Sequence, residues 1–189
     1  GALCSLDNVT GNTATISEKN KVPSVEKKVK NGDSYDSSNS AKIGDTVEYK
    51  TTITINGSVE KVVLHDKMDA GLTFNETSVK VKVGGADVAA DSYTLKKSAE
   101  LSDSCTFEIE FKDSYIAGLK TGTQIEVTYS ATLNKNAVIG TTGNKNDTWL
   151  KYGNNGSVTS ETTTYSYSFD LVKTDSDGTL LAGAKFKLY

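Results

Sequence analysis

The stretch IEVTYSATLN, residues 125–134, decides the fold. Ile125, Val127, Tyr129, Ala131 and Leu133 take every second place, with Glu126, Thr128, Ser130 and Thr132 between them. A period of two sends the two sets to opposite faces of an extended strand, one toward a core and one toward water. The same alternation recurs in Val47, Tyr49, Ile53 and Ile55, in Val79, Val81 and Val83, and from Cys105 through Phe107 and Ile109 to Phe111. Turn signals separate these runs: Asn31-Gly32-Asp33, Asn56-Gly57, Gly84-Gly85, Thr121-Gly122, Gly143-Asn144 and Asn154-Asn155-Gly156. Half-buried strands at this spacing predict an all-β fold, an antiparallel two-sheet immunoglobulin-like β-sandwich. One short helical turn is expected near Ser114–Leu119.

Composition agrees and narrows the function. Apolar content is 36%, Gly is frequent, and there is one Pro, which suits short strands and turns. The net charge of −3 gives no electrostatic basis for binding nucleic acid. All 21 basic residues are Lys, so the bidentate Arg reading of bases or phosphates is missing. No apolar run reaches the ~20 residues that a membrane-spanning helix needs. Neither a signal peptide nor a wall-sorting signal is visible, as expected of a fragment.

Against this pattern, three polar residues occupy core-facing places. Lys27 lies between Val25 and Val29, Asp66 follows Val62 and Leu64, and Asn146 leads into Thr148, Leu150 and Tyr152. Burying an amine, a carboxyl or a carboxamide alone is costly. By parity Lys28 and Glu26 fall on the outward face, Asn144 shares the parity of Asn146 beside Gly143, and Asp69 lies nearer the turn. Lys27 either turns its ammonium to solvent, pairs with Asp66 as a buried ion pair, or reacts.

Composition marks two boundaries. Residues 1–20 read as the tail of a preceding domain or a linker, residues 21–165 as the sandwich, and residues 166–189 as a fresh start with its own alternation at Phe169, Leu171 and Lys173. Asp175-Ser176-Asp177-Gly178 lacks the ligand spacing of a calcium loop and reads as a tight turn.

The blocks VPSVEKKV, IGDTVEYKTTITI, VVLHDKMDAGLTF, IEVTYSATLN and GNKNDTWLKY, in this order, resemble the fimbrial isopeptide-formation D2 domain of Gram-positive sortase-assembled backbone pilins, whose fold is of the collagen-adhesin A type. The terminal FDLVKTDSDGTLLAGAKFKLY resembles the opening of a collagen-adhesin B-type domain. The resemblance implies an isopeptide bond between Lys27 and Asn146, with Asp66 assisting. It implies no cofactor and no turnover. It assigns Lys173 to a similar bond whose partner asparagine and assisting glutamate lie beyond Tyr189. It implies a surface, cell-wall or pilus location and sortase-made links to neighbouring pilin subunits. The acceptor lysine of such links sits in a Tyr-Pro-Lys-Asn-like motif; here Ser17-Glu18-Lys19-Asn20 keeps only the Lys-Asn pair, and Lys21 is the neighbouring alternative. The competing expectation is an adhesin stalk or ligand-binding domain that recognises host extracellular matrix or glycan.

The remaining signals are sparse. Cys105 reads either as a small core hydrophobe or as the partner of Cys4 in a disulfide. His65, the single histidine, points outward beside Asp66 with no ligand near it in sequence, so no metal site is expected. Trp149 has outward parity and reads as packed under a loop rather than as a sugar platform.

Overall fold

The computed structural model describes residues 22–168 and 172–183. In chain order the strands are β1 (Ser24–Asn31), β2 (Ser34–Asp36), β3 (Ser38–Ser40), β4 (Thr46–Ile55), β5 (Val63–Met68), β6 (Leu72–Phe74) and β7 (Lys80–Val83). Then come β8 (Ala86–Asp87), β9 (Tyr93–Lys97), β10 (Phe107–Phe111), β11 (Thr123–Leu133), β12 (Gly140–Tyr152), β13 (Asn155–Gly156) and β14 (Ser160–Ser166). Among the described residues there are three 3-10 turns and one short α-helix, α1 (Asp113–Ala117), which lies within a residue or two of the expected turn.

Two sheets face each other. The first runs β2-β1-β4-β11-β7-β8, with β6 also on β11; the second runs β3-β14-β12-β5-β10-β9, with β13 on β12. Every pairing is antiparallel except that of β14 with β3. The deciding stretch becomes β11, the long central strand of the first sheet, and its five alternate residues are all buried. From the opposite sheet Leu64, Phe107, Ile109, Phe111 and Leu150 close the core. Aromatic rings interlock at its centre: Phe74 stacks on Phe107 at 4.4 Å, and Phe107 meets Tyr129 edge-on at 4.9 Å. Such contacts add to the area term that drives burial.

Two local expectations differ from the structure. Gly143-Asn144 is not a turn but lies inside β12, where the pairing with β14 slips between Gly140 and Asn144. Gly143 has φ +69°, and a Cβ there would meet Thr163 Cγ2 at 2.4 Å, so this irregularity requires glycine. Cys105 does not continue the inward row of β10. The strand begins at Phe107, and Cys105 turns its thiol toward His65 on the outer face, 3.5 Å from Nδ1.

Candidate functional site

The three polar residues singled out by parity converge inside the sandwich. Lys27 is 2% exposed, and Asp66 and Asn146 are 0% exposed. Lys27 projects from β1 in the first sheet, paired with Thr51 of β4. Asp66 and Asn146 project from the second sheet. Thr148 stands opposite Asp66 and Asn146 opposite Met68, so Asp66 and Asn146 are diagonal neighbours on one inward face. Lys27 Nζ lies 2.5 Å from Asp66 Oδ2. The Tyr129 hydroxyl donates to the same oxygen, and Thr51 Oγ1 lies 3.3 Å from that hydroxyl. The Lys27 ammonium sits 5.2 Å from the ring centres of both Tyr49 and Tyr129, so its nearest walls are aromatic.

Burial shifts both titrating groups toward neutrality. It pulls the Lys27 ammonium down to about 8, with Asp66 opposing. It pushes the Asp66 carboxyl above the usual carboxylate range, with Lys27 and Tyr129 opposing. The pair is therefore poised between an ion pair and an amine facing a carboxylic acid.

Asn146 is the unusual member. Both its carboxamide atoms are buried and have no hydrogen-bond partner among the described residues. Asp66 Oδ1, the Tyr49 hydroxyl and Thr164 Oγ1 are unpartnered in the same way. The Tyr49 hydroxyl is directed at Thr164 and Asn146 but lies outside bonding geometry with both. Buried polar atoms are rarely left unpaired, and each costs about 1–3 kcal/mol.

The alternatives fall elsewhere. Asn144 is fully engaged: its Oδ1 accepts from Val138 N–H, and its Nδ2 donates to the carbonyls of Val138 and Thr164. Asp69 is exposed and accepts from Lys145 N–H. Lys28 points outward and lies 3.3 Å from Glu26. Lys173 is exposed, although alternation with Phe169 and Leu171 pointed it inward. It precedes a bridge between Thr174 and Leu180, within which Asp175 Oδ1 accepts from the N–H groups of Asp177 and Thr179, making the expected tight turn. Lys19, Lys21 and Cys4 lie outside the described residues.

Parity alone missed the supporting groups. Tyr49 and Tyr129 read as plain core residues, yet one tyrosine is bonded to Asp66 and both flank the lysine. Their inward positions directly across from each other on β4 and β11 were the available signal.

Among known proteins, the family described as "Gram-positive pilin backbone subunit 2, Cna-B-like domain" matches residues 43–156. The trypsin-resistant surface T6 protein of Streptococcus pyogenes is 25% identical over 144 residues, which cover 72% of this chain and 27% of that protein. The chain therefore spans about a quarter of that relative's length. Of solved structures, the full-length RrgB pilus protein from Streptococcus pneumoniae aligns with a TM-score of 0.57 and 26% identity, over 70% of this chain and 23% of that one. The 35 kDa C-terminal fragment of the major pilin GBS80 of Streptococcus agalactiae aligns with a TM-score of 0.64 and 23% identity, over 84% of this chain and 60% of that one, and supports the fold alone. The matched residues run from the start of the β4 region to the end of β13 and take in Asp66 and Asn146; this chain belongs to the Gram-positive pilin backbone family, as a Cna-B-like domain.

Proposed function

We propose that this chain is a structural shaft domain of a Gram-positive pilus backbone or a related wall-anchored surface protein. Its two sheets are tied by a self-made amide between Lys27 and Asn146. The observation that carries this reading is the unpartnered carboxamide of Asn146, buried beside the Lys27–Asp66 pair.

The chemistry follows from the geometry. Proton transfer from Nζ to Asp66 leaves a neutral amine and a carboxylic acid, the state that burial favours for both. The Nζ lone pair attacks Cγ of Asn146. Asp66 hydrogen-bonds the carbonyl oxygen as charge develops there, gives its proton to the departing nitrogen, and takes the second proton of the attacking nitrogen, ending as the carboxylic acid. One C–N bond forms, one breaks, and ammonia leaves. The fold supplies proximity, which can be worth ~7–11 kcal/mol of barrier. Because the group is closed to solvent, its only reachable substrate is itself, so the reaction runs once per chain.

Residues 21–165 form the sandwich and residues 166–189 open a second domain, to which Lys173 belongs. Neighbouring pilin subunits, joined by sortase-made links, are the partners, and Lys19 is the proposed acceptor. The location is the cell surface.

The test is the intact mass of the reduced, denatured chain. A deficit of one ammonia, absent from Lys27→Ala, Asp66→Ala and Asn146→Ala, supports the bond. A wild-type mass equal to that of the sequence defeats it.

A further inference from the structure

His65 and Asp66 are adjacent in β5 and face opposite ways, and the outward residue builds a second cluster. Its side chain is 4% exposed. Glu108 of β10 pairs with it directly across the sheet, and Glu108 Oε1 lies 2.8 Å from His65 Nδ1. The connection between β9 and β10 then folds over the same face. Asp103 Oδ2 comes to 3.4 Å and Cys105 Sγ to 3.5 Å of the same nitrogen. Cys105 N–H donates to Asp103 Oδ1 at 3.0 Å, which turns the other carboxylate oxygen and the thiol to one side. One atom from each of the four side chains lies within 4.8 Å of all the others.

We propose that His65 Nδ1, Cys105 Sγ and the carboxylates of Asp103 and Glu108 form a structural zinc site that ties the β9–β10 connection to the outer face of the second sheet.

The donor set fits this ion. Zinc takes thiolate, imidazole and carboxylate ligands in a tetrahedron, and its bond lengths of ~2.0–2.3 Å give ligand-to-ligand edges of about 3.3–3.6 Å. The Cys105 and Asp103 distances to Nδ1 already fall in that range. Of the three distances to Nδ1, that of Glu108, at 2.8 Å, is the one that must lengthen. Calcium and magnesium prefer all-oxygen shells and fit a thiol and an imidazole poorly. The ring of His65 is held in place by Trp149, stacked at 5.3 Å with planes 7° apart. Its other nitrogen, Nε2, is buried without a partner among the described residues, so every polar contact of the ring is on the cluster side.

Charge points the same way. Two carboxylates and a thiol converge on one imidazole, and the fields of Lys151 and, at Glu108, of Lys96 reach them. Burial, and then Asp103 and Glu108, push the Cys105 thiol up to about 12. A divalent ion reverses that penalty by binding the thiolate.

The test uses the full chain carrying Cys4→Ser, so that any thiolate signal belongs to Cys105, reduced and stripped with a chelator. It is titrated with Co2+ alone and then with Zn2+. The expected result is one cobalt per chain, a thiolate-to-cobalt charge-transfer band, tetrahedral d–d absorption, and loss of both on adding zinc. Cys105→Ser removes the charge-transfer band. Glu108→Gln, which keeps the size of the side chain, weakens binding by more than about 10-fold. A folded chain that takes up no cobalt at micromolar concentration overturns the proposal, and so does a cobalt spectrum that Cys105→Ser leaves unchanged.

Discussion

Asn144 and Asn146 stand two residues apart on the inward face of β12 and are held in opposite ways: the first spends its carboxamide on three backbone hydrogen bonds, the second on none. The first is a brace for the segment around Val138; the second is the amide that reacts under the proposed function. Asn144→Ala should therefore still lose ammonia while destabilising the fold by about 1–3 kcal/mol, the cost of orphaned buried partners. Asn146→Ala should keep its full mass. Mass spectrometry beside denaturant titration checks both, and an ammonia deficit surviving in Asn146→Ala would refute the assignment.

The bond should be a large part of the stability. It encloses a loop of roughly 120 residues, and by analogy with a disulfide the entropic gain is about 4–5 kcal/mol. For a domain of this size that corresponds to a fall of about 10–20 °C in Tm for Asn146→Ala. Calorimetry under reducing conditions, which would open any disulfide but leaves an amide intact, is the measurement. Equal melting temperatures would remove the stabilising role.

Asp66 and Tyr129 should separate kinetically. Asp66→Asn removes the proton carrier and should slow bond formation by about 100-fold or more. Tyr129→Phe removes one hydrogen bond to Oδ2 but leaves the acid, so the bond should form more slowly yet completely. A time course of mass after refolding reads both. Wild-type kinetics in Asp66→Asn would exclude its role.

The unbonded Asn146→Ala chain should show an inverted pH profile. Folded Lys27 holds its proton only to about 8, whereas an unfolded lysine holds it to ~10.4. Between these values the unfolded chain carries the extra proton, so stability rises with pH. The raised Asp66 carboxyl acts on the acid side. From the unfolded ~3.9 up to its folded value the folded chain carries the extra proton, so stability falls as pH rises. Asp147, also raised by burial, adds to that limb. The Lys27–Asp66 contribution is thus least above the range where the Asp66 carboxyl titrates and below about 8, where Lys27 begins to act. Denaturation across pH, compared with Lys27→Met/Asp66→Leu/Asn146→Ala, tests this; identical profiles would contradict it.

Gly71 should tolerate no side chain. A Cβ there would sit 2.2 Å from Asn144 Oδ1 and 2.7 Å from the Ala137 backbone. Gly71→Ala should cost about 1–3 kcal/mol through overpacking and should leave the ammonia deficit in place once folded. A neutral effect on denaturation would show that the Ala137 segment shifts freely.

Strand parity made most of the fold and the Lys27, Asp66 and Asn146 constellation legible, because a period of two states which face a residue takes. It could not rank Asn144 against Asn146, since both share that face and only the hydrogen bonds of the Val138 segment distinguish them. Cys105 is buried, as a small core hydrophobe would be, but parity put it on the inward row, which starts only at Phe107, and its thiol lies beside His65 instead. Parity passed over His65 because the other members of that cluster lie about 40 residues away and two of them sit in a connection with no periodicity.

Lys27 belongs to the first strand and Asn146 to the last long one. Drawn out straight, the residues between them would span about 400 Å. With the proposed amide in place, that stretch would hang as a closed ring beside the line of pull. A fibre built of such domains could not lengthen by that amount under a tug, and its reach would be fixed when each domain folds.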